Sequence, residues 1–166
     1  MNKYEIFLLF FVLLISISAV SAEGNFTSLQ TDIANSENSI DITQDYKFDE
    51  KADTGLDSGI LINKSNFVIN GNGHTLNGNS IARIFDVKGE SVTINNLNFI
   101  NGNANIGGAI LCDGKNTVIN NCTFNKNNAT SDGGAVVYRN NGKVLNSIFT
   151  DNYSLTVQQL EFMNPK

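Results

Sequence analysis

Two short motifs recur along this chain at nearly constant spacing, and that spacing restricts the possible folds more than any other feature. Gly107-Gly108-Ala109-Ile110 returns as Gly133-Gly134-Ala135-Val136, 26 residues later. Phe99-Ile100-Asn101-Gly102, Phe124-Asn125-Lys126-Asn127 and Phe149-Thr150-Asp151-Asn152 follow one another at intervals of 25. A period of this size marks a solenoid, in which each repeat buries its apolar face only against its neighbours.

Aligning the repeats gives columns. Ile94, Ile119 and Val144 form one, Leu97, Cys122 and Ser147 a second, and Phe99, Phe124 and Phe149 a third. Equivalent residues on adjacent strands of a coiled parallel sheet lie about 4.8 Å apart, so the three rings should stack as an interior ladder. Each buried ring is worth about 1.5–3 kcal/mol relative to exposure. The dipeptides Asn95-Asn96 and Asn120-Asn121 fall between inward positions, where the chain must bend and where amide side chains can bond from coil to coil. Gly and Asn enter φ > 0 most easily, so the Asn enrichment from Asn63 onward reads as structural.

Earlier strand signals lie at Ile60-Leu61-Ile62 and Phe67-Val68-Ile69, with bends over Asn70 to Gly78. Ile81 to Val87 occupies the place of the Gly-Gly-Ala unit, and Val92 to Phe99 opens the next turn. A sandwich would show hairpins about every 8–12 residues without column identity. A propeller blade needs about 40 residues. The expectation is an all-β, right-handed parallel β-helix of about three to four coils over residues 59–154.

Before it, residues 23–58 read as an N-terminal cap that covers the first sheet edge. Phe26, Leu29 and Ile33 share one helical face over 25–35, with Asn25 or Thr27 as cap and Asn35-Ser36 as terminus. Ser39-Ile40-Asp41-Ile42-Thr43 alternates as a half-buried strand, and 49–59 is a polar loop. Residues 1–22 read as a signal peptide: Lys3, an apolar run from Ile6 to Ile17, and Val20-Ser21-Ala22 for cleavage after Ala22. The run is short for a membrane span of about 20 residues, so contact with the membrane is expected only before cleavage, with an uncleaved anchor as the alternative. The mature chain is expected to be secreted or at the cell surface, where disulfides are permitted.

The chain has 166 residues, enough for one domain. With 16% charged residues and a net charge of −5, it lacks the clustered Lys and Arg that nucleic-acid binding needs. The tail 155–166 departs from the period: the next Gly-Gly-Ala is due near 159, where Gln159-Leu160 stands, and the single Pro lies here. Two readings stand, a truncated or frameshifted product or a short protein with its own C-terminal cap. An uncapped last coil would favour end-to-end association.

No catalytic, cofactor-binding or metal-ligating residue is assigned. Asp86, Asp113, Asp132 and Asp151 occupy different columns, unlike the paired carboxylates of glycoside hydrolysis. A lyase would need an acidic Ca²⁺ site with a Lys or Arg base. Lys88, Asp113 and Arg139 do share a column, which reads as a surface ion-pair ladder worth about 0–1 kcal/mol per pair. His74, the only histidine, reads as structural in a Gly-Asn bend, and zinc is excluded on ligand count. Cys112 and Cys122 align with interior positions and read as either buried thiols or a disulfide. Asn25, Asn63, Asn121, Asn128 and Asn152 begin Asn-x-Ser/Thr sequons; all but Asn121, which sits in the stacked turn, are expected in exposed loops.

The Gly-Gly-Ala-Ile and Phe-x-x-Asn elements at 107–110, 124–127, 133–136 and 149–152 resemble polymorphic outer membrane protein repeats. Residues 1–154 are similar to the N-terminal portion of archaeal adhesin-like surface proteins, with close counterparts at Phe67 to Leu76 and Val92 to Leu97. The resemblance implies a pectate-lyase-like β-helix displayed at the cell surface, with an adhesive, non-enzymatic role toward surface glycans or other cell-surface proteins. Such proteins continue for many more coils, so a fragment of a larger adhesin is one reading. A carbohydrate-active enzyme on the same fold is the alternative.

Overall fold

The computed structural model describes residues 23–154; residues 1–22, read above as a signal peptide, and the tail 155–166 lie outside the described residues. The chain winds into a parallel β-solenoid. Among the described residues one helix, α1 (Phe26–Asn35), precedes seventeen short strands. The first sheet stacks β1 (Ser39–Asp41), β4 (Val68–Asn70), β7 (Thr93–Asn95), β11 (Thr117–Asn120) and β15 (Gly142–Leu145) in that order. The second stacks β2 (Tyr46–Lys47), β5 (Thr75–Asn77), β8 (Asn98–Ile100), β12 (Thr123–Asn125) and β16 (Ile148–Thr150). The third stacks β9 (Asn103–Ile106), β13 (Asn128–Asp132) and β17 (Tyr153–Ser154). The fourth stacks β3 (Ile60–Ile62), β6 (Phe85–Val87), β10 (Ile110–Cys112) and β14 (Val136–Tyr138).

Every pairing is parallel, and the registers reproduce the sequence columns. Ile94 pairs with Ile119 and Ile119 with Val144; Phe99 pairs with Phe124 and Phe124 with Phe149. The rings of Phe99 and Phe124 stack at 4.9 Å and 6°, and those of Phe124 and Phe149 at 4.6 Å and 8°. Phe85 meets Phe99 edge-on at 5.5 Å, so the ladder locks into the opposite sheet across the core.

The coils number about five, not three to four. β1 and β2, which the sequence reading placed in the cap, already form the first coil: Ile40 pairs with Ile69 and Tyr46 with Leu76. The offsets there are 29 and 30 residues rather than 25, because the loop 49–59 lengthens the first turn and hides its period. The last coil adds β15, β16 and β17. The helix itself lies where expected, capped by Asn25 and ended at Ser36, with Phe26, Leu29 and Ile33 buried.

Three corners recur with a left-handed residue at the same place in successive coils. They are Asn66, Ser91 and Asn116 (φ 54 to 60°), Asn96, Asn121 and Asn146 (φ 49 to 53°), and Asn101, Lys126 and Asp151 (φ 51 to 55°). Of the twelve non-glycine residues with positive φ among those described, eight are Asn, which accounts for much of the Asn enrichment by backbone geometry. The Gly-Gly element has a different cause. Gly107 has φ +63°, and a Cβ on Gly108 would lie 2.2 Å from the carbonyl oxygens of Asn128 and Gly134, so successive coils pack backbone on backbone there.

Candidate functional site

The Phe-x-x-Asn element holds the interior together through its Asn. Asn127 is fully buried; its Oδ1 accepts from Gly102 N at 2.8 Å. Its Nδ2 donates to Phe99 O at 3.0 Å and to Asn152 Oδ1 at 2.9 Å. Asn152 Nδ2 repeats the first of these donations one coil later, to Phe124 O at 2.9 Å. These asparagines are internal fasteners with their hydrogen-bonding groups engaged.

The outer surface carries polar columns. Asn70 Nδ2 donates to Asp41 Oδ1 at 2.9 Å, Asn95 to Asn70 at 3.5 Å, Asn120 to Asn95 at 3.4 Å, and Asn146 to Asn120 at 2.9 Å. Each amide donates to the coil before it: Asn70, Asn95 and Asn120 run along the first sheet, and Asn146 reaches in from the neighbouring corner because Leu145 holds their place in the last coil. A parallel column at the neighbouring corner joins Asn121 to Asn96 at 3.3 Å. On the second sheet Thr123 Oγ1 donates to Asn98 Oδ1 at 2.7 Å, and on the third Asn128 donates to Asn103 at 3.1 Å.

The charged column expected from sequence is present. Lys88 Nζ bonds to Asp113 Oδ2, and Arg139 Nη1 lies 3.3 Å from Asp113 Oδ1. Asp113 is held below the usual carboxylate range chiefly by the Lys88 hydrogen bond, and Lys88 is raised chiefly by the same bond. Lys88 Nζ is also 3.1 Å from Asp86 Oδ1, but that buried oxygen has no aligned hydrogen bond, so the contact is one of charge alone. Arg83 is bonded to backbone carbonyls. Its guanidinium donates to Ser58 O, Ile106 O and Gly107 O, at 2.8 to 3.1 Å, and so ties three backbone segments together.

His74 Nδ1 lies 3.0 Å from Asp45 Oδ1, which also accepts from Thr75 N at 2.9 Å. Both contacts fasten the first coil to the second. Among the described residues no group of three or more His, Cys, Asp or Glu side chains converges as a metal site, and no helix is long and apolar enough to cross a membrane. Both cysteines are buried and unpaired. Burial pushes the Cys112 thiol up to about 12 and raises Cys122 as well.

The sequons separate clearly. Asn25 is half-buried, and its Oδ1 accepts from Ser28 N at 2.8 Å as the helix cap. Asn128 lies in a strand and Asn152 is an internal fastener, so neither occupies the exposed loop that its sequence suggested. Asn63 is exposed in the loop after β3, and its side chain has no hydrogen-bond partner among the described residues.

Sequence reasoning missed Asp53, fully buried although it stands in a polar loop. Its carboxylate accepts from Phe26 N, Thr27 N and Asp49 N at 2.7 to 3.1 Å, satisfying donors at the start of α1. Nothing local distinguishes it from its acidic neighbours Asp49 and Asp57. Gln30 was also missed. Its side-chain amide accepts from Leu61 N at 2.7 Å and donates to Leu61 O at 3.2 Å, pairing the edge of β3 as a strand would.

The geometry defines a parallel β-solenoid with polar ladders along its outside. No family model, curated protein or solved structure matches the chain.

Proposed function

We propose that this chain is an exported, non-enzymatic surface module that adheres to glycans or other cell surfaces, akin to the adhesin-like proteins its repeats resemble. The observation that carries the reading is the directed amide column of Asn70, Asn95 and Asn120, to which Asn146 donates from the neighbouring corner. It presents amide groups at the coil spacing of about 4.8 Å, and a repeating polymer laid along the solenoid meets the same chemistry at each step. The half-buried Asn95 and Asn120 are held in place by their neighbours, so little side-chain entropy is lost on contact.

The test pairs fractionation with binding. The chain, expressed with its own residues 1–22, should reach the medium or the envelope with Glu23 as its first residue. It should retard one or more polysaccharides in affinity electrophoresis while leaving their length unchanged. Asn95→Ala with Asn120→Ala should weaken that retardation at least fivefold. Release of shortened or unsaturated fragments would favour the carbohydrate-active alternative, and retention in the cytoplasm would remove the export reading.

A further inference from the structure

Asparagine followed by glycine is the dipeptide in which a protein chain cyclises most readily. The glycine nitrogen loses its proton and attacks the side-chain carbonyl carbon of the asparagine, with no Cβ in the way. A nitrogen–carbon bond forms, the bond to the side-chain nitrogen breaks, and ammonia leaves with the proton. Water then opens the resulting succinimide to aspartate or isoaspartate. This chain places glycine after Asn70, Asn72, Asn77, Asn101 and Asn141. The corners demand it: a Cβ would collide with Leu97 at Gly71, with Ala82 O at Gly78 and with Gly108 O at Gly102, and Gly73 has φ +81°.

In the first four pairs both reacting groups are tied down. Each nucleophile donates its N–H to the following coil: Gly71 N to Asn95 O at 2.7 Å, Gly73 N to Asn96 O at 2.8 Å and Gly78 N to Ile100 O at 2.9 Å. Gly102 N has a side-chain partner instead, Asn127 Oδ1 at 2.8 Å. The asparagine amides are held as well. Asn70 Nδ2 donates to Asp41 Oδ1 at 2.9 Å and Asn72 Nδ2 to Ile42 O at 3.0 Å, both in the preceding coil. Asn101 Nδ2 donates to Asn77 Oδ1 at 3.2 Å, so one bond restrains two of the electrophiles. An N–H that is donating gives up its proton less readily, and a tethered amide cannot swing onto the backbone. Asn141-Gly142 stands in the last described coil and is not among the four.

We propose that Asn70, Asn72, Asn77 and Asn101 are deamidation sites shielded by coil stacking, so that they react only in chains that have opened or not yet folded. The products cannot rejoin the ladder. A carboxylate at position 70 would face Asp41 with no amide proton to donate. Isoaspartate inserts a methylene into the backbone and shifts the register on which the columns depend. Unfolding thereby becomes irreversible through chemistry on the opened chain.

Peptide mapping by mass tests this on the purified chain, aged folded and in urea in the same mildly alkaline buffer. In urea all four peptides should gain the mass of an amide-to-acid exchange, at the rates of synthetic peptides of the same sequence. In the folded chain each should react at least about tenfold more slowly. Asn127→Ala removes the acceptor of Gly102 N and of none of the other three glycines, so Asn101 should react faster in the folded variant while Asn70, Asn72 and Asn77 stay slow. Should that variant not fold, the contrast between folded and urea-held chain decides alone. After dilution from urea, the refolded fraction should be depleted in the modified peptides. Equal rates in the folded and urea-held chain at these sites would overturn the proposal, as would a folded Asn127→Ala in which Asn101 is as slow as before. Modified chain that refolds as well as unmodified chain would overturn it too.

Discussion

The side-chain amide of Asn127 donates to the backbone carbonyl of Phe99, a residue 28 positions earlier in the preceding coil. That bond explains why Phe and Asn recur together. The Phe ring fills the column while the Asn three residues on satisfies a carbonyl that faces the interior at the corner. Asn127→Ala would leave Gly102 N without its side-chain acceptor and remove the amide donor from Phe99 O, in a fully buried setting. The expected loss is about 2–4 kcal/mol, one to two desolvated groups at 1–3 kcal/mol each. Asn121→Ala, at an exposed corner, should cost about 1–2 kcal/mol, the strain of Ala in the left-handed region. Urea midpoints of the two variants compare them directly.

The Phe column gives a second gradient. Phe124 stacks on both sides and is buried, so Phe124→Ala should cost about 3–5 kcal/mol. Phe149 stacks on one side only among the described residues and is half exposed. Its truncation should cost about half as much. Equal losses would mean that Phe149 is covered as fully as Phe124.

Much of the fold was legible because a solenoid writes its geometry into the sequence as a period. Wherever the offset stayed near 25, as from Ile94 to Ile119 to Val144, the columns read from sequence are the columns in space. The first coil escaped because the loop 49–59 stretched its offset to 29 and 30. Asp53 and Gln30 escaped for another reason: their distant backbone contacts, to the start of α1 and to Leu61, occur once in the chain and leave no repeated trace. The charged column was legible because Lys88, Asp113 and Arg139 sit one repeat apart. The directed amide chain was only half legible, since Asn95-Asn96 and Asn120-Asn121 marked a corner without saying which residue faces along the sheet.

The Lys88–Asp113 pair should respond to pH at both ends of the scale. Asp113 is depressed in the folded chain, so its contribution is complete above the unfolded carboxylate value near 3.9 and is lost as pH falls through the lower folded value. Lys88 is raised, so its contribution is complete below about 10.4 and is lost as pH rises through the higher folded value. The Lys88 side chain is 42% exposed and that of Asp113 21%, and solvent screening at the ammonium limits the coupling to about 0–1 kcal/mol. A double-mutant cycle of Lys88→Met and Asp113→Asn should give that value at pH 7 and a vanishing one once pH has fallen through the lowered folded value of Asp113.

Cys112 and Cys122 should behave as small apolar core residues. Burial holds both thiols protonated at neutral pH, and only thiolate reacts. A chromogenic disulfide reagent should label neither in the folded chain and both, without prior reduction, in denaturant. Labelling that requires reductant would show a disulfide instead.

Asn63 is the sequon that the fold leaves free. Transfer of a glycan joins the amide nitrogen to the sugar's anomeric carbon and releases the lipid diphosphate, which needs an accessible side chain. Asn63 offers one, in an exposed loop with no side-chain partner among the described residues. Asn127 Nδ2 is bound to Asn152 Oδ1, and Asn152 Nδ2 is committed to Phe124 O, so a glycan on Asn152 would break the corner. Secreted from a host that glycosylates sequons, the chain should carry glycan on the peptide containing Asn63, and Asn63→Gln should remove the corresponding mass. A secreted, folded product modified at Asn152 and bare at Asn63 would contradict this assignment.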